Sequence, residues 1–323
     1  MTCLVYVWIG SELPDWARLS LQLAKKTSGL EVILLCNRSI GFVQGISRQC
    51  YIEDFYSQPQ ILLVKYKHAR ADFRGGFWVK TIERFFILQQ FLTKYSISSF
   101  FHAELDNMVF NISLLADKLN LIGYGLFCPR DAFDRGIASL IYVNNANSLK
   151  EFTDLALERL EMDLNDMELL GELLKRSKNY YSLPTEASLS LLKDKQSLDH
   201  LPAELIGGIF DAAALGQFLF GIDPRNCNGI LFNGFENENK GCNLWRLKYS
   251  IDLQHGRAEI SQIDGSNITN LYNIHVHSKL FNQLLIDGRI NEIIHKIHNG
   301  KKTIMTKNIF LDRRRLVRFF KKF

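Results

Sequence analysis

Leu4-Val5-Tyr6-Val7-Trp8-Ile9 is the stretch on which the fold class turns. A strand with one wet face alternates apolar and polar residues. This run is apolar throughout, so both of its faces must be covered, as they are in a parallel strand between two helix layers. Downstream, Pro14 opens a helical stretch with Trp16, Leu19, Leu23 and Ala24 on one face and Gly29 as its stop. Residues 31–36 read as a second strand, 61–64 as a short third one, 77–91 as a helix and 99–103 as a strand again. This β-α-β-α order predicts an α/β sheet flanked by helices on both faces. Further on, 121–127 and 139–143 read as strands, 149–160 and 167–174 as helices, and 244–264 as a hairpin turning at Gly256.

With 323 residues the chain can bury a full core, and 47% hydrophobic with 23% charged residues excludes a largely disordered chain. The formal charge of +5 is unevenly placed. Lys307, Arg313, Arg314, Arg315, Arg318, Lys321 and Lys322 face only Asp312 in the last stretch, which leaves the rest of the chain near neutrality. A neutral body argues against nucleic acid as a partner. None of the six cysteines forms a CxxC spacing, and Cys3, Cys36 and Cys128 lie in or beside apolar runs, so they read as buried thiols in a reducing compartment. No apolar stretch reaches the roughly 18 residues of a membrane span. The first ten residues lack a basic leader and read as a core strand, so a cytoplasmic location is expected.

The chemistry concentrates in Phe100-Phe101-His102-Ala103-Glu104-Leu105-Asp106-Asn107. In an extended chain Glu104 and Asp106 project the same way, roughly 7 Å apart, and the carboxyl ends of strands are where open α/β sheets collect ligands. Two such carboxylates repel unless a cation stands beside them, and a hard divalent ion fits that need. A second segment, Tyr272-Asn273-Ile274-His275-Val276-His277-Ser278-Lys279, places His275 and His277 on one face, with Lys279 two residues on. Imidazole added to carboxylate suits manganese somewhat better than magnesium, and a lysine beside it neutralises a diphosphate as a point charge.

These segments together resemble the GT-A-type glycosyltransferases, which use nucleotide-sugar donors and a divalent metal. The resemblance spans about residues 4–280. It rests on the opening strand, the second strand, the helix Lys80-Thr81-Ile82-Glu83-Arg84-Phe85, Glu104-Leu105-Asp106 at the DxD position and the late His/Lys group. It implies a GT-A-like, Rossmann-like α/β domain with a mixed central sheet over residues 1–285, with an acceptor-side insert at 186–245. Residues 286–323 then form a basic helical extension. It implies Asp106 as a direct ligand of Mn2+ or Mg2+, Glu104 near the metal or the donor ribose, one of His275 and His277 as a further ligand, and Lys279 on the donor diphosphate. Glu104 stands where the family has Asp. For the donor, Trp8 is a candidate platform under the nucleobase and equally a candidate core residue. Arg84, one turn after Lys80, is expected to stack basic charge over the diphosphate.

Two residues compete as catalytic base in an inverting transfer. Asp166, in Asn165-Asp166-Met167-Glu168, resembles the acidic helix start that carries the base in inverting members; the segment reads equally as a capped helix start, with Asn165 or Asp166 as the N-cap. Asp211 stands alone in Gly207-Gly208-Ile209-Phe210-Asp211-Ala212-Ala213-Ala214, where burial raises a carboxyl pKa, and it too reads as a cap. Gln217 and Asp223 offer polar groups to an acceptor. The expected partners are a nucleotide-sugar donor, a glycan or lipid-linked glycan acceptor, and an anionic membrane surface, at the inner face, for the basic and aromatic tail. A sugar nucleotidyltransferase and a non-catalytic glycan-binding module are the alternatives. The first usually needs a Gly-rich basic loop after strand one, where this chain has Ser11-Glu12-Leu13-Pro14.

Overall fold

The computed structural model describes residues 2–65, 74–188, 201–223, 244–262 and 265–299. The opening run forms β1 (Cys3–Trp8), followed by α1 (Asp15–Thr27), β2 (Glu31–Cys36) and β3 (Arg48–Tyr51). Next come α2 (Gln58–Lys65), α3 (Phe77–Tyr95), β4 (Phe100–Ala103) and β5 (Asn107–Val109). The middle of the chain supplies α4 (Leu115–Ile122), β6 (Leu126–Ala132), β7 (Arg135–Gly136), β8 (Leu140–Val143), α5 (Ala146–Glu158), α6 (Asp166–Arg176) and β9 (Tyr180–Leu183). The last described part holds α7 (Ala203–Ile206), β10 (Gly208–Ile209), α8 (Ala214–Phe220), β11 (Leu247–Asp252), β12 (Arg257–Gln262), β13 (Thr269–Leu271), β14 (Asn273–His275) and α9 (Ile290–Asn299).

The main sheet runs β3-β2-β1-β4-β8-β6, with β7 and β9 both pairing with β6. The pairs β3/β2, β2/β1, β1/β4 and β6/β9 are parallel, and β8 runs antiparallel to β4 and β6. This is the expected mixed α/β sheet. Its opening strand is covered on both faces, as an unbroken apolar run requires: Cys3 and Val5 join one core with Phe85, Phe86, Phe91 and Phe152, while Leu4 and Tyr6 join another with Leu21, Phe101 and Tyr142.

A second sheet, ordered β10-β13-β12-β11, covers a third core built on Phe218, Ile260, Ile274 and Phe281. The hairpin turns near Gly256, whose φ of 63° lies in the left-handed region that glycine enters freely. Ile290, Ile294 and Ile297 of α9 also enter this core, so the described start of the expected C-terminal extension packs on the domain. The basic tail from residue 300 on, and residues 189–200 and 224–243 of the expected insert, lie outside the described residues.

Two strand expectations are corrected. Residues 61–64 belong to α2, and the third strand is β3. Four apolar residues in a row carry no period, whereas Pro59 in the first turn and the Ser57 hydroxyl 3.4 Å from the Gln60 amide nitrogen are helix-start features. Residues 121–122 end α4, and the strand begins only at Leu126. Gly123 and Gly125 lie between them, where a Cβ would stand 2.2 Å from the Tyr181 hydroxyl and 2.1 Å from the Asn179 carbonyl oxygen. Cys3, Cys36, Cys50 and Cys128 are buried free thiols.

Candidate active site

The site is assembled by a short ladder between β5 and β14. These strands pair antiparallel, with Asn273 opposite Val109, Ile274 opposite Met108 and His275 opposite Asn107. The Val276 N–H then donates to the Asp106 carbonyl at 2.7 Å. Glu104 and Asp106 sit in the turn that leaves β4, closed by the Asn107 N–H on the Glu104 carbonyl at 3.1 Å. The carboxylates thus share a direction through a turn instead of through strand alternation. A buried amide pair pins the ladder: Asn273 Nδ2 donates to Asn107 Oδ1 at 2.8 Å.

His275 meets both acids. Its Nε2 lies 3.1 Å from Asp106 Oδ1 and 3.3 Å from Glu104 Oε2, and one donor atom from each of the three residues falls within 4.8 Å of the others. The second oxygen of each carboxylate is taken. Arg84 donates one terminal nitrogen to Glu104 Oε1 at 2.7 Å and the other to Asp166 Oδ2 at 2.6 Å. Lys279 Nζ donates to Asp106 Oδ2 at 3.0 Å. The side chain of His275 is 7% exposed, against 23% for Glu104 and 14% for Asp106, so the cluster opens on its carboxylate side.

The charges follow from this packing. Burial alone lowers the His275 pKa, but Asp106 above all, with Glu104 and Asp211, raises it to about 9. Burial pushes the Asp106 carboxyl up, and the His275 and Lys279 cations overcome this and hold it well below the usual carboxylate range. The metal test rests on the donor set. Two carboxylate oxygens and one imidazole nitrogen converge, and the other ring nitrogen, Nδ1, lies 3.3 Å from the Ala212 carbonyl. A carbonyl behind the ligating imidazole is the second-shell arrangement of metal-binding histidines. The residues therefore fit a divalent cation.

Lys279 ties the cluster to several other groups. Its backbone takes a left-handed φ of 58°, which costs a non-glycine residue about 1 kcal/mol. The conformation lets its amide donate to the Val276 carbonyl at 2.9 Å while Nζ turns back to Asp106. Nζ also lies 3.6 Å from Asp223 and 5.6 Å from the Trp16 ring centroid. Trp16 in turn meets Trp8 edge-on at 6.2 Å, and the Trp8 Nε1–H donates to the Glu12 carbonyl at 2.7 Å. Trp8 is half-buried, joined to the lysine through Trp16.

Four more of the candidate residues surround this cluster. Arg84 is buried, and its two terminal nitrogens serve Glu104 and Asp166. His277 is not one of the converging group. It stacks on His275 with ring centroids 4.0 Å apart, and burial and the His275 charge push its pKa well down. Of the two cap candidates Asn165 is the cap, in a capping box with Glu168, and the buried Asp166 carboxylate faces Arg84. Burial raises its pKa despite that arginine. Asp211 has no exposed surface, and its oxygens accept three backbone N–H groups. Burial lifts its pKa to about 6.

Trp16 and the Asn107/Asn273 pair escape a reading of motifs. The only signal for the asparagines is their place, one directly after Asp106 and one two residues before His275.

Comparison with known proteins adds a fold-level likeness. Solved structures of glycosyltransferases are among those that the chain is similar to. The apo form of mouse xyloside xylosyltransferase 1 matches at 8% identity over 57% of this chain and 86% of that one, with a TM-score of 0.39. The galactosyltransferase LgtC, in complex with donor and acceptor sugar analogues, matches at 8% identity over 62% and 84%, with a TM-score of 0.39. The glycosyltransferase GlyE of Streptococcus pneumoniae TIGR4 matches at 17% identity over 58% and 46%, with a TM-score of 0.35. No protein-family model and no curated protein matches the chain. Among the described residues no helix is long and apolar enough to cross a membrane.

Proposed function

We propose that this chain is a divalent-metal-dependent glycosyltransferase. It moves a sugar from a nucleotide-diphosphate donor to a glycan or lipid-linked glycan acceptor, in cell-surface polysaccharide or glycolipid assembly. The observation that carries the reading is the convergence of Glu104, Asp106 and His275 at the exit of β4, with Lys279 Nζ 3.0 Å from Asp106. Glu104, Asp106 and His275 would hold the ion, Mn2+ before Mg2+ on account of the imidazole. When bound, the cation supplies Lewis-acid screening of the leaving diphosphate.

The chain's own groups do the rest. Arg84 fixes Glu104 so that Oε2, not Oε1, faces His275. Lys279, whose Nζ lies 3.0 Å from Asp106 Oδ2, would be the point charge for the diphosphate. Trp8 at the end of β1 is the proposed platform for the nucleobase. Asp166 and Asp211 are the two candidate bases of an inverting transfer and are both enclosed; a transfer that retains configuration would ask no carboxylate base of the protein. The basic tail, read from its sequence alone, would attach the enzyme to an anionic membrane surface, each charge contributing about 1 kcal/mol. Deleting residues 310–323 should then reduce liposome co-sedimentation.

The deciding assay is nucleotide release from a panel of nucleotide sugars with Mn2+. Release by the native chain that disappears in Asp106→Ala supports the reading, and binding without turnover by any donor favours a glycan-binding module. Activation of a sugar 1-phosphate by a nucleoside triphosphate would instead favour the nucleotidyltransferase.

A further inference from the structure

Asp211 makes more bonds than a helix cap needs. Its Oδ1 accepts the Leu215 N–H at 3.0 Å and its Oδ2 the Gly216 N–H at 2.8 Å, which satisfies the start of α8. Oδ2 also accepts the N–H of His275 at 2.8 Å, from a strand of another part of the chain. One residue on, the Ala212 carbonyl lies 3.3 Å from His275 Nδ1. The same short turn therefore holds the backbone and the ring of one histidine.

The turn is itself braced. The Asp211 N–H donates to Asn273 Oδ1 at 3.1 Å, and the Asp211 carbonyl accepts from Asn273 Nδ2 and from the Ser139 hydroxyl, both at 3.0 Å. Gly216 brings α8 against His275 so closely that a Cβ there would stand 1.9 Å from the His275 carbonyl oxygen. Only Nε2 of His275 is left to face Glu104 and Asp106.

We propose that Asp211 is a positioning residue for the metal-ligating imidazole: it fixes the His275 backbone so that Nδ1 meets the Ala212 carbonyl and Nε2 is presented to the cation. This rests on the reading of Glu104, Asp106 and His275 as the metal site. An ionised carboxylate suits the task because it accepts from all three donors. An asparagine in its place turns an NH2 group toward an N–H.

The test is Mn2+ binding without any sugar donor, by isothermal titration calorimetry and by the electron paramagnetic resonance spectrum of the bound ion. In Asp211→Asn, checked for folding by circular dichroism, the Kd should rise about 10- to 100-fold, the range seen when second-shell partners of metal ligands are removed. The spectrum of the bound ion should change as well. A cap alone would lower the melting temperature and leave both readouts of the folded chain unchanged, and that result overturns the proposal. If Asp211→Asn does not fold, Ser139→Ala, which removes one donor from the same turn, decides it: a smaller weakening in the same direction is expected, and native affinity overturns the proposal. A native chain that binds no Mn2+ removes the metal-site reading itself, and this inference with it.

Discussion

Arg84 joins Glu104 to Asp166, with one terminal nitrogen on each carboxylate, at 2.7 and 2.6 Å. The arginine is buried, and so is Asp166. Removing one member of a buried ion pair leaves the others uncompensated, which costs more than the pair contributes. Arg84→Met should therefore lower stability by about 3–5 kcal/mol in urea unfolding. The added change Asp166→Leu should recover part of that loss, since it removes the orphaned charge. Arg84→Lys should not rescue, because an ammonium lacks the planar fork that serves two carboxylates at once.

The second prediction concerns the ligands. His275→Ala and Asp106→Ala should each weaken Mn2+ at least about tenfold, whereas His277→Phe should keep most of the affinity because His277 only stacks on His275. Calorimetric titration of the three variants ranks them directly. Equal losses in all three would place both histidines on the ion.

The third is a pH dependence. His275 carries a proton below about 9 in the metal-free chain, and that proton must leave before Nε2 binds a cation. Apparent Mn2+ affinity should therefore fall by about tenfold for each pH unit from 8 down to 6. Folding stability of the metal-free chain runs the other way. The folded pKa lies above the ordinary 6.5, so the contribution of the ion pair is complete below 6.5 and is lost as pH rises through 9. Titrations at several pH values, with His275→Gln as the flat reference, check the first sign, and urea midpoints check the second.

A fourth prediction separates a structural histidine from the site. His102 is buried, with Nδ1 2.9 Å from the Val5 carbonyl, and burial and then Arg84 lower its pKa to about 3. Between 6.5 and 3 the unfolded chain binds the proton and the folded chain does not, so stability falls as pH falls, by about 1.4 kcal/mol per unit. His102→Gln should flatten that slope in acid unfolding curves.

Much of this was legible in residue order because burial on two faces and burial on one leave different patterns. The apolar run of β1 declares a covered strand, and 244–264 shows a hairpin by alternation around a glycine. Glu104, Asp106 and His275 were readable as residue types that share a cation. The choice between His275 and His277 was not readable. Strand alternation treats the two alike, whereas the chain leaves β14 at Val276, and only His275 stands in the ladder with β5. The partners of Arg84 were unreadable for a related reason: its helix position shows a neighbour at Lys80, and the carboxylates it serves lie 20 and 82 residues away. Asp211 looked like a base because it is isolated among apolar residues. The same isolation comes from a carboxylate whose three donors are backbone N–H groups, which no sequence displays.

The central claim is that two acids and one imidazole, brought together by the β5/β14 ladder, hold a divalent cation. Anomalous scattering from crystals grown with Mn2+ tests it most directly. The expected result is one strong peak within coordination distance of Glu104, Asp106 and His275 Nε2, with Lys279 turned away from Asp106. A peak elsewhere on the chain, or none at saturating Mn2+ with the His275–Asp106 contact intact, would contradict it.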